Sequence, residues 1–190
     1  MSRLSFACEE SQVRFHRVCA IAAALTVALL AGPGPARALD APSVPPSGAQ
    51  GAVLVPPPGW VKRDFEMHLG PVTITTMWVK GAGSPDNINL GNESLDAPVA
   101  VEIFAGAAKM GLEQVGGRGA VKISHTEKLC NGTQNGWLLE SNLSFGTHPV
   151  DTEQVFSVGK THAFILTYTR LQGAPEDPVA RRALDTLCTT

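Results

Sequence analysis

Residues 154–170 read Gln154-Val-Phe-Ser-Val-Gly-Lys-Thr-His-Ala-Phe-Ile-Leu-Thr-Tyr-Thr-Arg170, and the fold turns on them. Two runs rich in apolar and β-branched residues, Gln154–Val158 and Thr161–Arg170, flank Gly159-Lys160, a tight-hairpin signal. So short a connection joins antiparallel strands, because parallel neighbours need a crossover of a dozen or more residues. On the second run Phe164, Leu166 and Tyr168 share a face with His162, the two-residue period of a strand. His162 then stands at a strand start, where a hydrogen-bonded histidine at the sheet margin is expected.

Working outward, the same alternation recurs. Trp137–Phe145 carries Trp137, Leu139, Leu143 and Phe145 inward, and Ala120–Leu129 sets Val121, Ile123 and Leu129 on one face. His148, before Pro149, reads as a turn residue. Val72–Val79 is β-branched and aromatic and predicts a strand with Val72, Ile74 and Trp78 on one face. Trp60, Phe65, Met67 and Leu69 are burial candidates ahead of it, and residues 81–94 read as a turn-rich loop.

Two segments carry helical spacing. From Asp96, expected as a cap with Pro98 in the first turn, Val101, Phe104, Ala108, Leu112 and Val115 form one apolar stripe that Gly116-Gly117 ends. Pro178–Leu187 predicts a closing helix capped by Asp177, with Val179, Ala183, Leu184 and Leu187 inward. The fold class is therefore α+β: an antiparallel β-sheet packed with one long helix and a C-terminal helix.

The N-terminal segment has a different character. Arg14, His16 and Arg17 precede an uncharged apolar run, Val18–Ala31, of about 14 residues, short of the ~20 needed to span a bilayer. Gly32-Pro33-Gly34-Pro35 and Ala36-Arg37-Ala38 follow, and the small residues there place signal-peptide cleavage after Ala38. Residues 1–38 are thus expected to be a signal peptide, 39–58 a Pro/Ala/Gly-rich disordered linker, and 59–190 a single globular domain. The expected location is exported, periplasmic or extracellular. No lipobox stands at the right place, so no stable membrane anchor is expected after processing.

Cys8 and Cys19 leave with the signal, and Cys130 and Cys188 remain. An even pair in an exported chain reads as a disulfide, here tying the last helix to the strand that ends at Cys130. The processed chain carries eleven basic against fifteen acidic residues, a net charge of −4 with no basic cluster. That balance lacks the electrostatic footprint of a nucleic-acid partner.

A family resemblance joins these features. Pro58-Gly59-Trp60 opens a strand, a long helix and a meander follow, and a short helix closes the chain. Cys130 precedes Gly136-Trp137, the aromatic strand ends in Tyr168-Thr169-Arg170, and an Asp177-led helix closes at Cys188. In this order and these motifs the chain resembles the PsbP/DcrB-like α/β/α sandwich domains of small exported bacterial proteins of unassigned function. The resemblance implies a binding or assembly accessory and carries no catalytic residues over.

Motifs of chemistry point the same way. His68, His125, His148 and His162 have no His or Cys at metal-ligand spacing, and no Gly-x-Ser-x-Gly or phosphate-binding Lys-Ser/Thr accompanies the glycine-rich stretches. No catalytic, cofactor-binding or metal residues are therefore assigned, and no cofactor is expected. Glu127 and Glu140 are the carboxylates that could face each other across a strand pair. The expected function is a non-enzymatic binding or accessory protein of the cell envelope or exterior, its partner an envelope protein or small ligand left unnamed. The alternative is an exported hydrolase, which requires His125 or His162 beside an acid in a cleft.

Overall fold

The computed structural model describes residues 51–145 and 148–190. The expected signal peptide and most of the expected linker lie outside the described residues, as do the side chains of Phe65 and Phe145. In chain order the elements are β1 (Ala52–Val53), β2 (Val61–Leu69), β3 (Val72–Val79), β4 (Asn87–Ser94), α1 (Val101–Gly116), β5 (Val121–Leu129), β6 (Gln134–Phe145), β7 (His148–Val158), β8 (His162–Leu171), α2 (Pro178–Asp185) and β9 (Cys188–Thr189).

Seven strands make one sheet in the order β2-β3-β4-β8-β7-β6-β5, every adjacent pair antiparallel. The fold is α+β. The β7–β8 hairpin closes through the Gly159 N–H to the His162 carbonyl at 2.9 Å, at the Gly159-Lys160 turn. β8 is central, so both of its faces are buried and its apolar run is nearly continuous. Alternate residues feed two separate cores. Ala163 and Ile165 join Phe104, Ala108 and Leu112 of α1, while Phe164, Leu166 and Tyr168 join Ala180, Ala183 and Leu184 of α2. Each helix therefore covers one face of the sheet.

Several expectations change. Residues 87–94, read as part of a loop, form β4, which hydrogen-bonds to both β3 and β8. Its Asn and Gly residues are poor strand formers, but pairing on both sides and burial of Ile88 and Leu90 override that local preference. Val72, Ile74 and Trp78 do not share a face. A bulge between Ile74 and Thr76 inserts one residue, so Val72 and Ile74 pack toward α1 and Trp78 toward α2. A second register shift, between Val121 and Ile123, likewise sends Val121 to the α1 side and Leu129 to the α2 side.

α1 begins at Val101 with Ala100 as its cap, not at Asp96, and Val115 lies exposed. β7 starts at His148, so that residue opens a strand instead of standing in a turn. α2 is capped as expected, the Asp177 side chain accepting from the Val179 N–H at 2.8 Å. Ala180 faces inward on α2, and Leu187 is buried just beyond its end.

A strand also stands before Gly59. Ala52–Val53 pairs antiparallel with Cys188–Thr189, which adds a two-stranded ribbon that composition alone assigned to the linker. The proline-rich stretch leaves those two residues free of proline, and β9 offers the ladder partner they need.

Cys130 and Cys188 are disulfide-bonded, with Cα atoms 4.6 Å apart. The bond ties β9, just beyond α2, to the β5–β6 turn. In that turn Cys130 and Asn131 both take φ of 54°, a left-handed conformation that is uncommon outside glycine and asparagine. The Asn131 N–H donates to the Asp185 carbonyl at 3.2 Å, a second link from the turn to the end of α2.

Candidate functional site

Two polar constellations lie on opposite faces of the sheet. The first joins the sheet to α2. Glu153 of β7 is 2% exposed, and its Oε1 accepts from Arg170 of β8. Arg181 of α2 reaches three carboxylates: Glu127 at 3.0 Å, Asp185 at 3.4 Å and Glu153 at 3.6 Å, the last beyond hydrogen-bond length. Burial pushes the Glu153 carboxyl above its ordinary range, and the Arg170 guanidinium opposes that shift. Arg170 also lies 5.4 Å over the Tyr168 ring, whose hydroxyl accepts from the Asp177 N–H. Asp177 in turn pairs with Lys80 at 2.9 Å. The Tyr168-Thr169-Arg170 motif thus belongs to a charge network in which each ion is neutralised by a neighbour, and the network fixes α2 onto β5, β7 and β8.

The second constellation lies on the α1 face and is uncharged. In β4, Asn87 and Asn89 alternate with Ile88 and Leu90; in β8, Thr167 and Thr169 alternate with Leu166 and Tyr168. Since the apolar partners enter the α2-side core, these polar residues must point to the other side. Strand register lines them up: Asn89 with Thr167 and Gln154 in one row, and Asn87 with Thr169, Thr152 and Ser141 in the next. All seven are buried, none more than 4% exposed.

Some of these groups satisfy one another. Ser141 and Thr152 hydroxyls meet at 2.6 Å, and Asn87 Nδ2 donates to the Pro85 carbonyl at 3.0 Å. Others find no partner: Asn89 Oδ1, both side-chain atoms of Gln154, and the hydroxyls of Thr167 and Thr169. An unmade hydrogen bond on a buried group costs about 1–3 kcal/mol, so a cluster of them on adjacent strands calls for an explanation.

A buried carboxylate lies farther along the same face. Glu93 of β4 sits between Val72 and Ala163 in register and is 8% exposed. Its Oε2 has no partner, and burial pushes its pKa up to about 7.

The residues singled out by sequence are scattered. His125 is exposed, with its Nδ1 2.7 Å from the Thr126 carbonyl, and His162 contacts Ser94 and Thr161 and stacks against Phe164. Neither lies within ion-pair distance of an acid among the described residues; His68 does, 2.9 Å from Glu66 on exposed β2. Glu127 and Glu140 are not register partners: Glu127 pairs with Gly136, whereas Glu140 pairs with Ile123 on one side and Glu153 on the other. No group of three or more His, Cys, Asp or Glu placed to hold a metal occurs among the described residues. Sequence reasoning missed the uncharged rows, although the strict Thr/apolar alternation of 166–169 already marks a polar face opposite an apolar one.

No protein-family model matches this chain. No curated protein matches its sequence either. Solved structures do show distant structural relationships. A crystal structure from Bacteroides thetaiotaomicron is 11% identical with a TM-score of 0.40, covering 74% of this chain and 48% of its own, so the present chain spans about half of that protein. LpqN, involved in cell envelope biogenesis of Mycobacterium tuberculosis, is 16% identical with a TM-score of 0.47, covering 75% of this chain and 87% of its own.

Proposed function

We propose that this chain is an exported binding or accessory protein of the cell envelope or exterior, one of the PsbP/DcrB-like domains, and that it works without catalysis. The uncharged rows on the α1 face carry this reading. Asn89, Gln154, Thr167 and Thr169 offer donors and acceptors with no titrating group among them, which suits holding a molecule and not moving a proton. The charges of the opposite face are committed to fixing α2. Export is supported by the N-terminal pattern read above and by the Cys130–Cys188 bond, since disulfides persist in oxidising compartments.

The test begins with the full chain expressed behind its own N-terminus in a bacterial host. Mass spectrometry of the envelope and medium fractions should find a mature chain beginning at Leu39 with Cys130 and Cys188 blocked to thiol reagents. A chain retained in the cytoplasm with free thiols refutes export. Turnover of ester, peptide or phosphate substrates that His125→Ala or His162→Ala abolishes would refute the non-catalytic reading.

A further inference from the structure

The outer face of α1 points away from the sheet, because the helix packs on β5, β6 and β7 through Phe104, Ala108 and Leu112. On that outer face Ile103 and Met110 are 61% and 41% exposed, and Gly106 lies exposed between them. Residues three and four apart share a helix face, so the three form one stripe. A second stripe beside it carries Glu102, Lys109 and Glu113. Lys109 reaches Glu113 at 3.3 Å, whereas Glu102 makes no ion pair among the described residues.

Nothing within the protomer calls for a glycine at 106. Glycine is the poorest helix former after proline, yet a Cβ at Gly106 would meet nothing within 4 Å. Gly116, at the end of the same helix, differs: a Cβ there would stand 2.7 Å from the Ala120 and Leu143 side chains. Bare backbone on an exposed helix face suits close approach by another backbone. The order of the flanking residues indicates which one. Ile103 stands three residues before Gly106 and Met110 four after it, while Glu102 stands four before and Lys109 three after. Turning the helix end for end about Gly106 therefore brings Ile103 opposite Met110 and Glu102 opposite Lys109, each within one residue, a rise of about 1.5 Å. A two-fold axis normal to the helix pair also sets apolar stripe against apolar stripe and charged against charged. A parallel pairing would instead set Glu102 on Glu102 and Lys109 on Lys109.

We infer that the outer face of α1 is a dimerisation surface, on which a second copy of this chain lays its own α1 antiparallel, the two helices crossing at Gly106. Each protomer contributes Ile103 and Met110 to an apolar seam, and two Lys109–Glu102 pairs flank it. A stable dimer covers about 800 Å² per partner and one helix face supplies less, so the association is weak, with a Kd on the order of 0.1 mM. This goes beyond the binding reading above and does not depend on it.

The test is sedimentation equilibrium on the protein purified from the export assay, over concentrations from about 10 µM to about 1 mM. A monomer–dimer equilibrium is expected, weakening as salt rises because the flanking pairs are exposed. Met110→Glu should weaken it at least about tenfold by placing a charge in the seam. Lys109→Glu and Glu102→Lys should each weaken it about threefold or more, and the two together should restore it, since the charges then face each other in exchanged order. Gly106→Gln should weaken the dimer by holding the helices apart, yet leave the unfolding midpoint in dilute solution equal or higher, a combination that a structurally required glycine does not give. A monomer at the highest concentration would overturn the inference. So would a dimer indifferent to these substitutions, which would put the contact on another surface, or a double charge reversal as weak as the single ones. Ile103 and Met110 methyl resonances that report burial in the monomer would overturn it too, since another part of the chain would then cover the face.

Discussion

Breaking the Cys130–Cys188 bond is the perturbation whose size follows most directly from the structure. The two residues are 58 apart in sequence, so the bond closes a long loop in the unfolded chain. On the chain-entropy treatment, closing a loop of this length stabilises the fold by about 4 kcal/mol at 25 °C. The native-state consequence is local. Gln134 holds Thr189 from both sides, accepting from its N–H at 2.9 Å and donating to its carbonyl at 2.7 Å, and the Thr190 N–H donates to the Gly51 carbonyl. These bonds keep β9 in reach after reduction, but nothing covalent then holds it.

The assay is urea unfolding of the oxidised protein, the reduced protein and the Cys130→Ala/Cys188→Ala variant, with the slope fitted separately for each. With a slope of about 2 kcal/mol per molar, the midpoint should fall by about 2 M. Hydrogen exchange should show the Thr189 and Thr190 amides losing protection first, before those of β8. Superimposable curves for oxidised and reduced protein would refute the reasoning. So would a loss confined to β1 and β9 with the global midpoint unmoved, because it would mean that the bond fastens a ribbon without restricting the unfolded chain.

Other outcomes follow from particular side chains. Glu93, raised by burial to about 7, binds its proton more tightly folded than unfolded, so its contribution is complete below its unfolded value and is lost as pH rises through 7. Glu93→Gln should therefore flatten part of the stability decline between roughly pH 4.5 and 7, a term of about 3 kcal/mol, read as the difference from wild type in urea midpoints. Arg170→Met leaves Glu153 buried against a more distant Arg181 and should cost about 3–5 kcal/mol, measured the same way; a loss below 1 kcal/mol would show that Arg181 moves in to replace it. At Gly136 an added Cβ would stand 2.6 Å from the Phe156 carbonyl and would overlap the Leu129 side chain. Gly136→Ala should accordingly lower stability by at least 1–3 kcal/mol, roughly the cost of overpacking, and an unchanged midpoint would mean β6 can shift away from β7.

How much was legible is clearest from β8 and β4. In β8 the pattern of Phe164, Leu166 and Tyr168, with a glycine turn before it, specifies a strand and its apolar face, because side-chain alternation is a local property of extended backbone. In β4 the residues Asn87-Ile-Asn-Leu-Gly-Asn-Glu-Ser94 look like a loop, because their local preferences favour turns. Only β3 and β8, brought from either side, make that segment a central strand. The bulges at residue 75 and residue 122 were equally hidden: an inserted residue leaves no mark in the period, yet it exchanges which face is buried. For that reason Trp78 and Leu129 ended in a different core from the residues they were grouped with.

The candidate site divides along the same line. The pairing of Cys130 with Cys188 was expected from a count, because two cysteines remain once Cys8 and Cys19 are assigned to a signal peptide, and each then has one intramolecular partner. What the bond does depended on the fold, which places Cys188 in β9 and Cys130 in a left-handed turn beside the end of α2. The uncharged rows are chiefly a tertiary result. Asn89 is far from Gln154 and Thr167 in sequence and joins their row only because β4 pairs with β8. By itself the sequence determined an antiparallel α+β domain and pointed to the Cys130–Cys188 bond, since alternation, helical spacing, turn residues and cysteine positions are local or countable. The tertiary structure alone decided which faces are buried, which charges meet and where hydrogen-bonding groups are left without partners, since each depends on neighbours that only strand pairing supplies.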